Sequence, residues 1–229
     1  QDTSETEGYG KMYRYNVVVD FEDATATGLI MAFVAFDWNY EGPIFIDNIT
    51  FISGIKVKPA DPTLVDDFEG YFNDNAELKN AYTPAGDSST VSLVSNDSGK
   101  ALKFDYTIDA NGYSGIVKQM SGVDWSSLNA LSMTVTPDGL NQKVVVQIKA
   151  NGKYFEVYPV FADTDEKNLV LNFSEFTPAP WESEANKTAV LTDNLNKIEA
   201  IGIYVNQVDE FTGIGTLIID DIKAVSVAD

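Results

Sequence analysis

The chain has 229 residues, 35 of them acidic and 15 basic, for a formal charge of −20. Such a polyanion is repelled by phosphate backbones and anionic lipid, so nucleic acid and membrane are excluded as natural partners. It has no Cys and no His, which removes disulfides, thiol catalysis, imidazole bases and the usual zinc sites.

Hydrophobic residues make up 44% of the chain and aromatic residues 12%, enough to bury a real core. The excess of acid has two readings. One is solubility; the other is calcium, a hard cation that takes carboxylate and carbonyl oxygens. No run of 18 apolar residues is present, so no helix is expected to span a membrane. The polar start QDTSETEG reads as a mature N-terminus.

From the N-terminus, MYRYNVVVDF (12–21) and LIMAFVAFDW (29–38) alternate with period two and predict strands. GPIFIDNITF (42–51) follows. SGIKVKPADPTL (53–64) has two prolines, few large apolar residues and a local basic cluster, and reads as a linker. Beyond it, strands are predicted at 101–108, 131–136, 143–150, 154–161, 168–176, 199–207 and 215–225, separated by turn clusters such as SNDSGK, DANG and ANGK. No long helix is expected; TAVLTDNLNKI (188–198) has room for one turn. Many short strands with Gly, Asn and Asp turns predict an all-β protein, a β-sandwich of jelly-roll type over 65–229.

GTLIIDDIKAV (215–225) repeats the early GPIFIDNITF. Each runs Gly, two spacers, an apolar residue, Ile-Asp, an amide or acid, then Ile. Upstream strands follow the same order in both copies, with a longer loop in the second. Residues 11–51 therefore read as a partial jelly roll, the final strands of an upstream module, and 1–52 as its domain. Their exposed edges are expected to pair with another chain or with a separate fragment of that module.

Two resemblances follow from these stretches. The run from GYGKMYRYNVVVDF to YEGPIFIDN (40–48) resembles the C-terminal part of family 27 carbohydrate-binding modules, mannan-binding jelly rolls attached to β-mannanases. VDDFEGYFND, GKALKFDYTI, NGYSGIVKQM, VDWSSLNALSMTV and GTLIIDDIKAV, in that order, resemble family 11 modules, which bind β-glucans on a concave jelly-roll face. The resemblance implies secreted, extracellular proteins. It also implies ligand-stacking tyrosines at Tyr113, Tyr82 and Tyr204, and places Asn111 where the family has an acidic binding residue.

The residues independently suggest a glycan face. β-Linked glycans present flat CH-rich faces for aromatic rings and equatorial hydroxyls for amides and carboxylates. Strand alternation sets Val144, Val146, Ile148, Phe155, Ile201, Ile203 and Val205 on one side. It leaves Gln147, Lys149, Tyr154, Glu156, Tyr158, Tyr204 and Asn206 on the other. Trp181, in the Pro-flanked loop TPAPWESE, is a further stacking candidate, whereas Trp125 reads as core.

Asp67 and Glu69 flank the apolar Phe68 at the start of the module, and Asp220 lies in its last strand. First and last strands of a jelly roll are commonly neighbours. Clustered carboxylates need a cation or they neutralise. Glu69 and Asp220, with Asp67 and loop carbonyls up to Lys100, are therefore the expected ligands of a structural calcium, which the resembled modules also carry.

The expected function is non-catalytic binding of β-linked polysaccharide, β-1,4-mannan or glucomannan first and β-glucan second. It would target a secreted plant-polysaccharide hydrolase, such as a β-mannanase, to its substrate. Two alternatives stay open: a glycoside hydrolase working with paired carboxylates, and an adhesive β-sandwich with a protein partner.

Overall fold

Residues 2–6, 10–14, 61–71, 74–96 and 99–228 are described by a computed structural model. Two compact units divide the chain, with Ala60–Asp229 forming the body of the larger and Thr3–Pro59 the smaller. In the N-terminal part, β1 (Asp2–Thr6) and β2 (Gly10–Arg14) pair as a two-stranded sheet. β2 covers the first three residues of the strand expected at 12–21; the rest of that strand, the strand expected at 29–38, and all of 11–51 beyond Arg14, for which chain pairing is expected, lie outside the described residues.

The larger unit starts with β3 (Leu64–Asp66) and helix α1 (Asn75–Ala81), capped by Asp74, whose carboxylate accepts from the N–H groups of Ala76 and Glu77. Eleven strands follow. They are β4 (Tyr82–Gly86), β5 (Ser88–Ser95), β6 (Lys100–Ile108), β7 (Tyr113–Val123), β8 (Ala130–Thr136), β9 (Lys143–Ala150), β10 (Lys153–Val157), β11 (Lys167–Asn172), β12 (Thr177–Pro178), β13 (Ile198–Asn206) and β14 (Gly213–Val225). They make two six-strand layers. One runs β12-β10-β9-β13-β7-β4; the other runs β11-β8-β14-β6-β5, with β3 beside β14. Their inner faces enclose one core, in which Phe68, Phe104, Trp125, Ile148, Phe155, Phe173, Ile198 and Ile219 have no exposed surface.

The predicted β-sandwich is thus what forms. Two expected strands end early. Pro159 cannot donate to a ladder, and β10 stops at Val157; β11 gives way to a 3₁₀ turn at Phe173–Glu175. The one turn allowed for 188–198 is a 3₁₀ turn at Leu191–Asp193. Helix α1 and strands β1, β3, β4, β5, β7 and β12 are the elements the periodicity reading did not assign. The expected pairing of first and last strands is present, with Ile222 opposite Asp66 and Lys223 opposite Leu64.

Trp125 is a core residue, as expected. Its ring stacks on Phe173 at 5.9 Å with an interplanar angle of 4°. Its Nε1 donates to the Pro62 carbonyl at 2.8 Å, and the Ala224 N–H donates to the Thr63 carbonyl at 2.7 Å. The last residues of the linker segment are therefore tied onto the sandwich before Val65.

Candidate functional site

The register of one hairpin builds half of the site. Asn151 and Gly152 connect β9 to β10 with φ of 48° and 73°. Two positive-φ residues make the type I′ turn that suits strand twist, and Asn-Gly is its favoured pair. The turn sets Tyr154 opposite Lys149 and Glu156 opposite Gln147. Next across the sheet, β13 places Ala200 opposite Lys149, Gly202 opposite Gln147 and Asn206 opposite Lys143. Beyond it, β7 places Gly115 opposite Tyr204 and Tyr113 opposite Asn206.

Alternation then lays these side chains on the outer face of the sheet, because Val144, Val146, Ile148, Ile201, Ile203 and Val205 are buried in the core. A groove of about 250 Å³ crosses this face, lined among others by Thr83, Val117, Gln119, Gln147, Lys149, Tyr154, Gly202 and Tyr204.

Each of the two tyrosines lining the groove is paired with a second ring. Tyr154 and Trp181 meet at 4.7 Å between ring centres, tilted by 56°. Tyr113 and Tyr204 lie 6.3 Å apart, tilted by 53°. Trp181 is 60% exposed and Tyr113 39%, so both offer surface to a ligand. Between the pairs runs a polar spine. The Tyr204 hydroxyl donates to Gln147 Oε1 at 3.3 Å, Gln147 Nε2 donates to Glu156 Oε1 at 2.8 Å, and the Tyr158 hydroxyl donates to Glu156 Oε2 at 2.9 Å.

Desolvation, reinforced for Tyr158 by its bond to Glu156 and for Tyr204 by nearby Tyr113, pushes both hydroxyls up to about 12. Both stay protonated hydrogen-bond donors at neutral pH. Lys143 Nζ lies 3.6 Å from the centre of the Tyr158 ring and Lys149 Nζ 5.3 Å from that of Tyr154.

The loops are anchored by acids that the strand pattern could not reveal. Glu182 accepts from the Tyr154 N–H at 2.8 Å and from Asn186 Nδ2 at 2.8 Å, bracing the Trp181 loop against β10. Asp87 accepts from the N–H groups of Asp109 at 2.7 Å and Asn111 at 2.8 Å, and its own N–H donates to the Tyr113 carbonyl at 2.8 Å. It thereby fixes the turn from which Tyr113 projects.

Aromatic rings and amides on one face of a two-sheet sandwich can stack on sugar rings and bond their hydroxyls. The model of the family "Carbohydrate binding domain (family 11)" matches residues 55–226. The chain belongs to the family 11 carbohydrate-binding domains.

This family 11 domain is 30% identical over 156 residues to Mannan endo-1,4-beta-mannosidase of Bifidobacterium adolescentis, a match covering 62% of this chain and 15% of that enzyme. It is 25% identical over 171 residues to Endoglucanase H of Acetivibrio thermocellus, covering 71% of this chain and 18% of that one. The chain therefore spans less than a fifth of either curated relative. Among solved structures it is similar to the family 11 carbohydrate-binding module of Clostridium thermocellum in complex with a β-1,3-1,4-mixed-linked tetrasaccharide. The TM-score is 0.56 at 22% identity, over 73% of this chain and 96% of that one, a likeness of fold. The family 11 resemblance read from the sequence is borne out. The family 27 resemblance at 40–48 falls outside the described residues.

On this family 11 domain the expected site residues sort by position. Gln147, Lys149, Tyr154, Glu156 and Tyr204 share the groove face; Trp181 packs on Tyr154 and Tyr113 on Tyr204; Asn206 sits opposite Tyr113. Asn111 is exposed in the turn before β7. Tyr158 lies past the end of β10, where it also lines a larger cavity of about 510 Å³ at the end of the sandwich.

Tyr82 is a correction. It pairs with Lys118, whose parity puts it on the inner face; it is 4% exposed, and its hydroxyl donates to Asp66 Oδ2 at 3.0 Å. A ring buried there cannot stack on a ligand. Asp87, Glu182, Gly115 and Gly202 are the site residues missed. Gly115 lies in 113–123, to which the periodicity assigns no strand, and Gly202 lies in the predicted strand 199–207, where it shows only as a gap in the alternation.

At the strand end expected to hold calcium, Glu69 Oε1 accepts from the Lys100 N–H at 2.5 Å, and Asp220 Oδ2 accepts from Asn96 Nδ2 at 2.7 Å. Both acids thus bond to residues near in sequence, Asn96 and Lys100. Asp67 instead accepts from the Glu69 N–H at 3.3 Å. Among the described residues no three acids gather closely enough to hold a metal, so backbone carbonyls would supply the other oxygens. Lys100 meets this set through its N–H, and Asp66, not Asp67, is the buried acid of the opening strand.

Asp87 carries a pH dependence. Desolvation raises its pKa, but the N–H donors of Asp109 and Asn111 outweigh that, and the net shift is downward. A carboxylate depressed in the folded state contributes its hold in full above its unfolded value and loses it as pH falls through the folded one. The Tyr113 turn is expected to stay closed down to the ordinary Asp range and to loosen below about pH 4. Amide exchange at Asp109 and Asn111 checks this; protection unchanged by acid, or already absent at neutral pH, would contradict it.

Proposed function

We propose that this domain binds single soluble chains of β-1,4-linked hexose glycans across its groove and so holds an attached secreted glycoside hydrolase on its substrate. The observation that carries the reading is the row of Tyr113, Tyr204, Tyr154 and Trp181 rings interleaved with Gln147 and Glu156 on one sheet face. Rings tilted by 53° and 56° within each pair form no common plane, which suits a twisted single chain better than a flat crystal surface.

Mannan and glucomannan are the first ligands and mixed-linkage β-glucan the next. In support, the 30% identical relative is a mannan endo-β-mannosidase, and the solved relative holds a mixed-linkage tetrasaccharide. Glu156 is read as a fixed acceptor and not a catalyst: Gln147 and Tyr158 each donate to one of its oxygens and hold it in place, and each oxygen keeps a lone pair for a sugar hydroxyl.

Affinity electrophoresis in gels containing mannan, glucomannan, barley β-glucan and xyloglucan tests this. Retardation is expected to be strongest with glucomannan or mannan. No retardation in any gel removes the glycan reading, and release of reducing sugar from mannan removes the non-catalytic one.

A structural calcium held by Glu69, Asp220 and carbonyls near Asn96 and Lys100 is part of the proposal. Calcium at a hundred times its Kd is expected to stabilise the fold by about 2.7 kcal/mol. EDTA should reverse the gain and Asp220→Asn should abolish it. An unfolding midpoint indifferent to calcium would sink this part alone.

A further inference from the structure

Tyr204 lies where two of its neighbours in the floor of the groove have no side chain. It stands opposite Gly115 on β7 and two residues after Gly202 on its own strand. A Cβ on Gly202 would sit 2.5 Å from Tyr204 Cε2 and 3.1 Å from Cζ and the hydroxyl oxygen. A Cβ on Gly115 would run into Cδ1 on the opposite edge of the ring. The ring therefore lies down across bare backbone, with its hydroxyl reaching Gln147, the residue opposite Gly202.

Neither glycine has a φ in the left-handed region, so the backbone does not demand glycine at either place. Glycine inside a strand weakens it, and its standing use there is to let another group approach closely. Gly86 differs: its φ of 81° requires glycine, whatever its neighbour.

We infer that Gly115 and Gly202 are positioning residues for the ligand, holding the Tyr204 ring flat so that its outer face forms the central stacking platform. This rests on the glycan-binding reading above. A methyl at either position leaves the backbone untroubled and tips the ring out of the floor. The fold survives and the platform is lost. The ring would also turn relative to Tyr113, breaking the shared geometry of that pair.

The test uses Gly115→Ala and Gly202→Ala, each alone and combined with Tyr204→Ala, in the whole chain. Without ligand, NMR reads the ring-current shift of the remaining glycine. Gly202→Ala is expected to move the Gly115 Hα signal toward its position in Tyr204→Ala, while the melting temperature stays near that of the parent.

With a manno- or glucomanno-oligosaccharide, calorimetry should show each alanine weakening binding about tenfold when Tyr204 is present and not at all when it is absent. An unmoved Gly115 signal, or an equal loss of affinity in both backgrounds, overturns the inference, since either means that the methyl does not act through the ring. If the parent chain binds no glycan, the glycan reading fails by that result, and the ligand-free shift alone decides the role of the glycines.

Discussion

Tyr204→Ala is expected to weaken glycan binding by about thirtyfold, the consequence of losing a central aromatic anchor of about 2 kcal/mol. The ring sits over Gly115 and Gly202, beside Tyr113, at the head of the hydrogen-bonded spine through Gln147 to Glu156. Truncation removes the stacking face and leaves Gln147 Oε1 to water.

Tyr204→Phe keeps the face and loses only a 3.3 Å hydrogen bond, so its affinity should stay within a few-fold of the parent. Trp181→Ala should cost less than Tyr204→Ala, because Trp181 is 60% exposed and, unlike Tyr204, is not part of the groove lining. Titration of the three variants with one oligosaccharide checks the order. Parent-like affinity in both alanine variants would mean that the ligand lies on another face.

The second large effect is on stability. Asp66→Ala is expected to destabilise the domain by about 3–5 kcal/mol, the range for removing one partner of a buried charge pair. Asp66 accepts from the Phe68 N–H at 3.0 Å, the Tyr71 hydroxyl at 2.6 Å, the Tyr82 hydroxyl at 3.0 Å and Lys118 Nζ at 2.7 Å. The Asp66 side chain is 7% exposed and that of Lys118 18%.

Without the carboxylate, Lys118 is left against the Tyr71 and Tyr82 rings, 5.8 and 5.1 Å from their centres, with no anion. Burial and the neighbouring Asp66 push both tyrosine hydroxyls well above the ordinary range, so neither supplies a charge in its place. Asp67→Ala, one residue on, loses a single exposed contact and should change stability by about 0.5 kcal/mol or less. Urea unfolding of the two variants separates them; equal midpoints would show that the Asp66 cluster contributes nothing net.

The contrast between Asp66 and Asp67 shows where sequence reading stops. Alternation placed Phe68 in the core and its neighbours outside, which holds for Glu69. It also sets Asp66 on the side of Phe68, but an inward acid is tolerable only if Lys118, 52 residues away, arrives with two tyrosines, which no local pattern shows. Tyr82 was misread for the same reason. Its burial follows from the register of β4 on β7, and YTPAG, with its Pro and Gly, does not announce a strand.

What the sequence determined by itself was whatever local period and turn chemistry control. Val144, Val146 and Ile148 on one side of β9, with Gln147 and Lys149 on the other, need only a strand's two-residue repeat. Asn151-Gly152 is enough to make the hairpin and align Tyr154 and Glu156 with them. The tertiary structure alone decided which aromatic residues meet and what lies beneath them. Trp181 reaches Tyr154 through a loop braced by Glu182, and Tyr204 lies on two glycines, one of them from β7, 89 residues earlier in the chain than the tyrosine. Such contacts depend on long-range strand order, and a side chain that is missing leaves no periodic mark.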